Sequence, residues 1–358
     1  MSSRASLLGH ADPADPSRGR PKRCTPPHLD EVAPARDGER PGPVEKSRGR
    51  RLMPIIAAAA VALAAFLLYR TLSRYSMAEI TASVAAIPVH RLVFAAAFAA
   101  ASYLCLTGFD YLAVRYVGHP LPYRKAALAS FVALSMGHNI GLAALSSGTI
   151  RYRFYSRWGL SAGEVAKVIL FCGITVGLGL MTLGGAALIL RASLAEDITG
   201  LDRPVVIGTG ALCLALAAGY IALAAIARKP IRIRSFTLAM PPLKLALGQV
   251  AIGPLNFACV AACLHQMLAA VGEVSYPAVA TVYVLATVAA LITHVPGGLG
   301  VIESVVLYLL PQAQFIGALL VFRVVYFLVP LAIGAPTFAF IELRRRRRKL
   351  TERAAAGA

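Results

Sequence analysis

The sequence predicts an all-α polytopic membrane protein of six to eight transmembrane helices, arranged as an inverted repeat with two re-entrant or broken elements. Three observations predict it: the composition, the placement of charge and the position of helix breakers. Of 358 residues, 58% are hydrophobic and 15% charged, against about 45–50% and about 25% in a soluble domain. Charge crowds the ends, with 18 of the 53 charged residues in 1–51 and 9 in 342–358, which leaves 26 for the 290 residues between. That middle holds apolar stretches long enough to cross a bilayer. No polar stretch reaches the roughly 100 residues that an appended catalytic domain needs.

Residues 1–51 hold 8 of the 22 prolines and read as a disordered, basic, Pro-rich cytoplasmic tail, too long and polar for the n-region of a signal peptide. Eight apolar segments follow, at 52–70, 92–114, 126–147, 165–190, 204–227, 245–271, 277–311 and 314–341. The third contains Gly137-His138-Asn139-Ile140-Gly141 and the seventh Pro296-Gly297-Gly298-Leu299-Gly300. Backbone freed by such breakers is tolerated at membrane depth only where protein or a watery cavity covers it. The basic run Arg344 to Lys349 ends the last segment and heads a basic cytoplasmic tail, 343–358. The net charge of +19 sits at segment ends and short connections, where it meets lipid headgroups and not nucleic acid.

Eight simple spans would place the basic stretch 228–244 outside and the acidic stretch 196–202 inside, against the positive-inside rule. If the third and seventh segments enter and leave on one side, the connections 115–164 and 228–244 become cytoplasmic. They then carry eleven Lys or Arg against five outside. Six spans and two re-entrant elements follow, with both termini in the cytoplasm. Each half, 52–203 and 204–342, then reads span, span, re-entrant element, span, at an offset of 152 residues that lays Gly148-Thr149-Ile150-Arg151 on Gly300-Val301-Ile302-Glu303. Three spans per half invert the second copy, the pattern of transporters with a midplane site between the halves.

The stretch from Gly148 to Ser161 sets Arg151, Arg153 and Arg157 among Tyr152, Phe154, Tyr155 and Trp158. Such a mixture anchors a helix at the interface, or lets Arg151 and Arg153, with Tyr152, hold a lipid phosphate at a cavity mouth. Glu303 follows Pro296, Gly297, Gly298 and Gly300 inside an apolar stretch, where a carboxylate implies a role or a partner. A short helix starting there would offer free N–H groups to an anion, and Glu303 would pair with Arg151, with Arg323 or with a cationic headgroup. Glu303 with the Gly297 to Gly300 break would then form a midplane substrate site, with Arg323 as a further substrate-binding candidate; alternatively Arg323, like Asp110, is a structural ion-pair member or a snorkelling residue. His138 and His294 flank the two breaks as proton-sensitive candidates, or as hydrogen-bonded structural histidines. Gly173-x-x-x-Gly177, with Gly184 further on, reads as close helix packing. Five of the six cysteines lie in apolar segments and read as core residues; no metal site or cofactor is expected.

The stretches GTIRYRFYSRWGLSAGEVAKVILF and HVPGGLGVIESVVLYLLP resemble the two signature regions of the lysylphosphatidylglycerol synthase transmembrane-region family, over roughly residues 52–342. The resemblance implies a flippase-like inner-membrane protein that handles phospholipids. In bifunctional members of that family it implies export of lysylphosphatidylglycerol, which protects bacteria from cationic antimicrobial peptides. It carries the family's motif positions onto Arg151, Tyr152, Arg153, Pro296, Gly297, Gly298, Gly300 and Glu303. Those bifunctional members add a soluble aminoacyl-transferase, which this sequence does not show before Ala358, so the expected activity is transport and not synthesis. The expectation is a flippase for an anionic or aminoacylated phospholipid, with membrane phospholipids as partners. A membrane component of lipid synthesis serving a separate soluble aminoacyl- or glycosyl-transferase is the second reading, and a proton-coupled small-solute transporter the third. Without a GxxxxGK[ST] loop, any driving force comes from a gradient or from the lipid's distribution.

Overall fold

The computed structural model describes residues 82, 85–140, 143–226, 231–233, 236–293, 295–310 and 315–356. The tail 1–51, the first expected span 52–70 and His294 lie outside the described residues. Within them, six helices are long and apolar enough to cross a membrane, and the fold is an all-α polytopic membrane fold. One small β-ribbon pairs β1 (Ile231–Ile233) antiparallel with β2 (Phe236–Leu238).

Helix α1 (Val89–Tyr116) begins after Pro88, whose carbonyl accepts from Arg91 and Leu92 N–H, and α7 (Leu243–Leu268) begins in the same way after Pro242. Proline suits both starts, because its nitrogen has no N–H to leave unpaired. Helix α4 (Ala162–Leu190) opens on a capping box in which Glu164 N–H donates to Ser161 Oγ at 3.3 Å and Ser161 N–H to Glu164 Oε2 at 2.7 Å. Those bonds satisfy two of the donors that every helix start leaves free. A short helix α5 (Ala192–Thr199) leads into α6 (Arg203–Ile226).

The third and seventh apolar segments fold as helical hairpins. In the first, α2 (Tyr123–Ile140) packs on α3 (Ala143–Tyr155), and a Cβ on Gly137 would lie 2.8 Å from Ser147 Cβ. In the second, α8 (Tyr276–Thr293) and α9 (Val301–Leu309) pack across the 3-10 turn Pro296–Gly298. Gly297, Gly298 and Gly300 hold φ of 61°, 58° and 83° there, a region glycine enters without steric cost. The arms are unequal, since α8 by itself is long and apolar enough for a span whereas α9 has nine residues.

The last segment runs as α10 (Phe315–Arg323), a π-helical stretch Val324–Leu328, and α11 (Val329–Ala356). A helix from Phe315 to Arg348 has 34 residues, about 50 Å at 1.5 Å per residue. This exceeds the roughly 30 Å of a hydrocarbon core, so the basic run lies beyond it as helix. The helices related by the 152-residue offset keep equivalent company: α1 packs on α7, α2 on α1 as α8 on α7, and α2 on α11 as α8 on α4.

Small residues set the closest crossings. A Cβ on Gly179 would come within 2.6 Å of the Gly253 carbonyl carbon, and one on Gly185 within 2.8 Å of the Gly210 oxygen. These are the contacts by which helices associate where lipid is as apolar as the core. The glycine spacing noted in the sequence divides differently from expectation. Gly184 does pack, opposite Val284, but Gly173 and Gly177 have nothing within 4 Å of a built Cβ and line a cavity. The expected outcome is therefore opposite for two identical changes. Gly173→Ala gains about 0.5–1 kcal/mol of helix propensity, while Gly179→Ala drives a methyl into backbone and loses at least about 1–3 kcal/mol. Thermal unfolding in one detergent checks both; equal shifts would refute the assignment of the two faces.

Candidate functional site

The two hairpins meet. The end of α2 touches the Pro296–Gly298 turn, and a Cβ on Gly297 would lie 3.4 Å from the His138 carbonyl oxygen. Asn139 Nδ2 donates to Ser135 O at 2.8 Å and to Phe327 O, in the π-helical stretch, at 3.3 Å. One amide thereby ties the first hairpin to the last span at a place where the π-helix has shifted the ladder.

Arg323 secures the second break. Its Nη1 donates to Gly297 O at 2.8 Å and its Nη2 to Gly298 O at 2.9 Å. The same guanidinium pairs with Glu303, through Nε on Oε1 and through Nη2 on Oε2 at 2.8 Å. Glu303 Oε2 also accepts the Gly300 N–H at 3.0 Å. The carbonyls freed by Pro296, Gly297 and Gly298 thus find their donors in one planar fork, which suits arginine and not lysine. The anion expected at the start of α9 is the carboxylate of Glu303 itself. Of the three partners expected for Glu303, the structure selects Arg323.

Arg151 secures the first hairpin. Its Nε and Nη2 each donate to Asp110 at 2.8 Å, its Nη1 donates to Ser147 Oγ at 3.0 Å, and Tyr155 OH donates to Asp110 Oδ1 at 2.7 Å. Both charged side chains are buried, at 4% and 0% exposure, so an apolar interior holds them only as a pair. Both hairpins are therefore bolted to a neighbouring span by a neutral ion pair, with the sign of the hairpin's charge reversed between the halves.

Arg153 does not join Arg151. It pairs with Glu342 on α11, which also accepts from Arg157 Nη2 at 2.6 Å. Tyr152 lies half-buried against the core. The Arg-Tyr-Arg motif thus sends one arginine inward and the other to the end of the last span. The sequence gives no signal for Glu342, which stands beside the basic run and looks like part of the tail.

A cavity of about 520 Å³ lies where the hairpins meet, walled by α1 to α4, α7 to α9 and the π-helical stretch. Arg151, Ser147, His138, Gly297 and Gly298 all face it. So do Asn256 and Tyr326, which sit on Ser102 Oγ at 2.7 and 2.9 Å. His138 carries a buried Nδ1 with no hydrogen-bond partner, between the rings of Tyr103 and Phe327. The rest of the wall is largely apolar, the usual form of a small-molecule site. Glu303, Arg153 and Tyr152 are not on it.

A family model described as "Lysylphosphatidylglycerol synthase TM region" matches residues 55–334, a span that includes both hairpins and all four bolting residues. The uncharacterised protein slr0712 of Synechocystis sp. (strain PCC 6803) is 33% identical over 282 residues, 78% of this chain and 88% of its own. The inner membrane protein YbhN of Escherichia coli K12 is 30% identical over 273 residues, 74% of this chain and 84% of its own. Matched along most of its length, and folded as paired helical hairpins among long apolar spans, the chain belongs to the lysylphosphatidylglycerol synthase transmembrane-region family of multi-pass membrane proteins.

Proposed function

We propose that this is an inner-membrane lipid translocator, which moves an anionic or aminoacylated glycerophospholipid between leaflets by alternating access between inverted halves, 52–203 and 204–342. The observation that carries the reading is the cavity between the two hairpins, apolar over most of its wall and supplied with one guanidinium. A phosphate displaces the Ser147 hydroxyl from Arg151 Nη1, while Asp110 keeps Nε and Nη2. His138 Nδ1 and the Asn256 amide serve the remainder of the headgroup. Arg323 and Glu303 shape the second break and do not touch the lipid. The basic run Arg344 to Lys349 favours a cytoplasmic C-terminus.

The test is leaflet exchange of labelled phosphatidylglycerol and its lysyl ester in liposomes that hold the purified protein. Wild type is expected to exchange at least one of them. Thr287→Trp, which fills the cavity from α8, should cut the rate tenfold or more with an unchanged unfolding midpoint. Folded wild-type protein that exchanges neither lipid overturns the reading and directs attention to a soluble transferase partner.

A further inference from the structure

The cavity is too small for a whole phospholipid, since about 520 Å³ lies within the roughly 300–1,000 Å³ of sites that hold single small molecules. A lipid whose headgroup sits at Arg151 must therefore extend its tails elsewhere, and the wall has one place for this. Helix α4 touches α8 at Gly184, where a Cβ would lie 3.1 Å from Val284 Cγ1. About two turns toward its N-terminus at Gly177, and three at Gly173, the same helix has nothing within 4 Å of a built Cβ. Both glycines line the cavity, and Gly173 is solvent-exposed. Across the gap Leu291 also lines the cavity, yet it is 49% exposed. The two helices thus close at one end and part at the other, and the cavity reaches the membrane-facing surface between them. Behind the opening lie the apolar side chains of Leu106, Leu134 and Ile169, and further in the unpartnered His138 Nδ1.

We propose that this gap between α4 and the second hairpin is a lateral slot that holds one acyl chain of a glycerophospholipid, the headgroup lying inside at Arg151 and the chain end in the bilayer. The inference rests on the translocator reading and adds the route of the tail. Glycine at 173 and 177 is then explained by clearance for a ligand and not by helix packing. The second acyl chain stays in the surrounding bilayer, so the slot requires an apolar chain attached to a polar head and gives no purchase to a free headgroup.

The test uses liposomes of phosphatidylglycerol carrying a diazirine at the end of one acyl chain, with the full chain incorporated and cross-linked peptides mapped by mass spectrometry. Wild type is expected to cross-link at interior positions, Leu106, Leu134 and Tyr283, as well as at outer residues such as Leu216 and Leu223. Gly177→Phe should reduce the interior products tenfold or more and spare the outer ones. Leu291→Trp, at a position 49% exposed where a larger side chain has room, should do the same and keeps the test valid if Gly177→Phe fails to fold. Interior products that are absent in wild type, or unchanged in folded Gly177→Phe and Leu291→Trp, overturn the slot. Leaflet exchange without interior cross-links would sink the slot and leave the translocator reading standing. Interior cross-links without exchange would do the reverse.

Discussion

Arg323→Ala is expected to lower the stability of the folded chain by about 3–5 kcal/mol, since it strands a half-buried carboxylate and two backbone carbonyls together. The change strips three acceptors at once: the Glu303 carboxylate and the carbonyls of Gly297 and Gly298. Adding Glu303→Gln removes the stranded charge but leaves the carbonyls, each worth about 1–3 kcal/mol when unpaired, so it should restore less than half of the loss. Arg323→Lys keeps the charge without the fork and should fall between. Chemical denaturation in detergent reads all three. A loss below about 1 kcal/mol for Arg323→Ala would show that the break is supported by something other than this guanidinium.

Asp110→Ala should cost a similar amount, about 3–5 kcal/mol, because it leaves the Arg151 guanidinium charged in an apolar interior. Here the repair differs. Replacing both members, Asp110→Leu with Arg151→Met, removes the buried charges together and should recover most of the stability; the Tyr155 hydroxyl and the weaker Cys172 thiol lose their acceptor and the Ser147 hydroxyl loses the Arg151 donor, each at about 1 kcal/mol or less. The double variant should nevertheless fail in leaflet exchange, since Arg151 supplies the phosphate contact. Raising the ionic strength should not alter either stability value, because screening acts weakly on buried pairs. Full exchange by the folded double variant would remove Arg151 from the site.

Apart from 52–70, which lies outside the described residues, the apolar helices and the Pro-Gly break of the second hairpin were legible, because hydropathy and Pro-Gly runs are local signals. Asp110, Arg151, Glu303 and Arg323 could be picked out, since ionisable groups in apolar segments are few. Their pairing could not. Asp110 and Arg151 are 41 residues apart in the chain, and nothing in either neighbourhood distinguishes Arg151 from Arg153 as the inward residue. Gly173 and Gly177 depart from the expected helix packing for a deeper reason. In a soluble helix the apolar stripe marks the buried face, but in a membrane lipid and core are equally apolar, so sequence does not say which face meets a helix, a cavity or a tail. The π-helical stretch and Glu342 left no trace in the sequence, because both depend on how the last span is phased against its neighbours.

That phasing gives the π-helical stretch Val324–Leu328 a meaning as stored length. A π turn accommodates one residue more than the α-helix it interrupts, and each residue of an α-helix turns the chain by about 100°. Arg323 on one side is fixed to the second break, while Glu342 on the other is fixed to Arg153 and Arg157. Remove one residue between them and the helix becomes regular, but Glu342 swings about a quarter of the way round the axis, away from both arginines. The extra residue is thus a vernier between two anchors: with it both ends of the last span are in register, and without it only one can be.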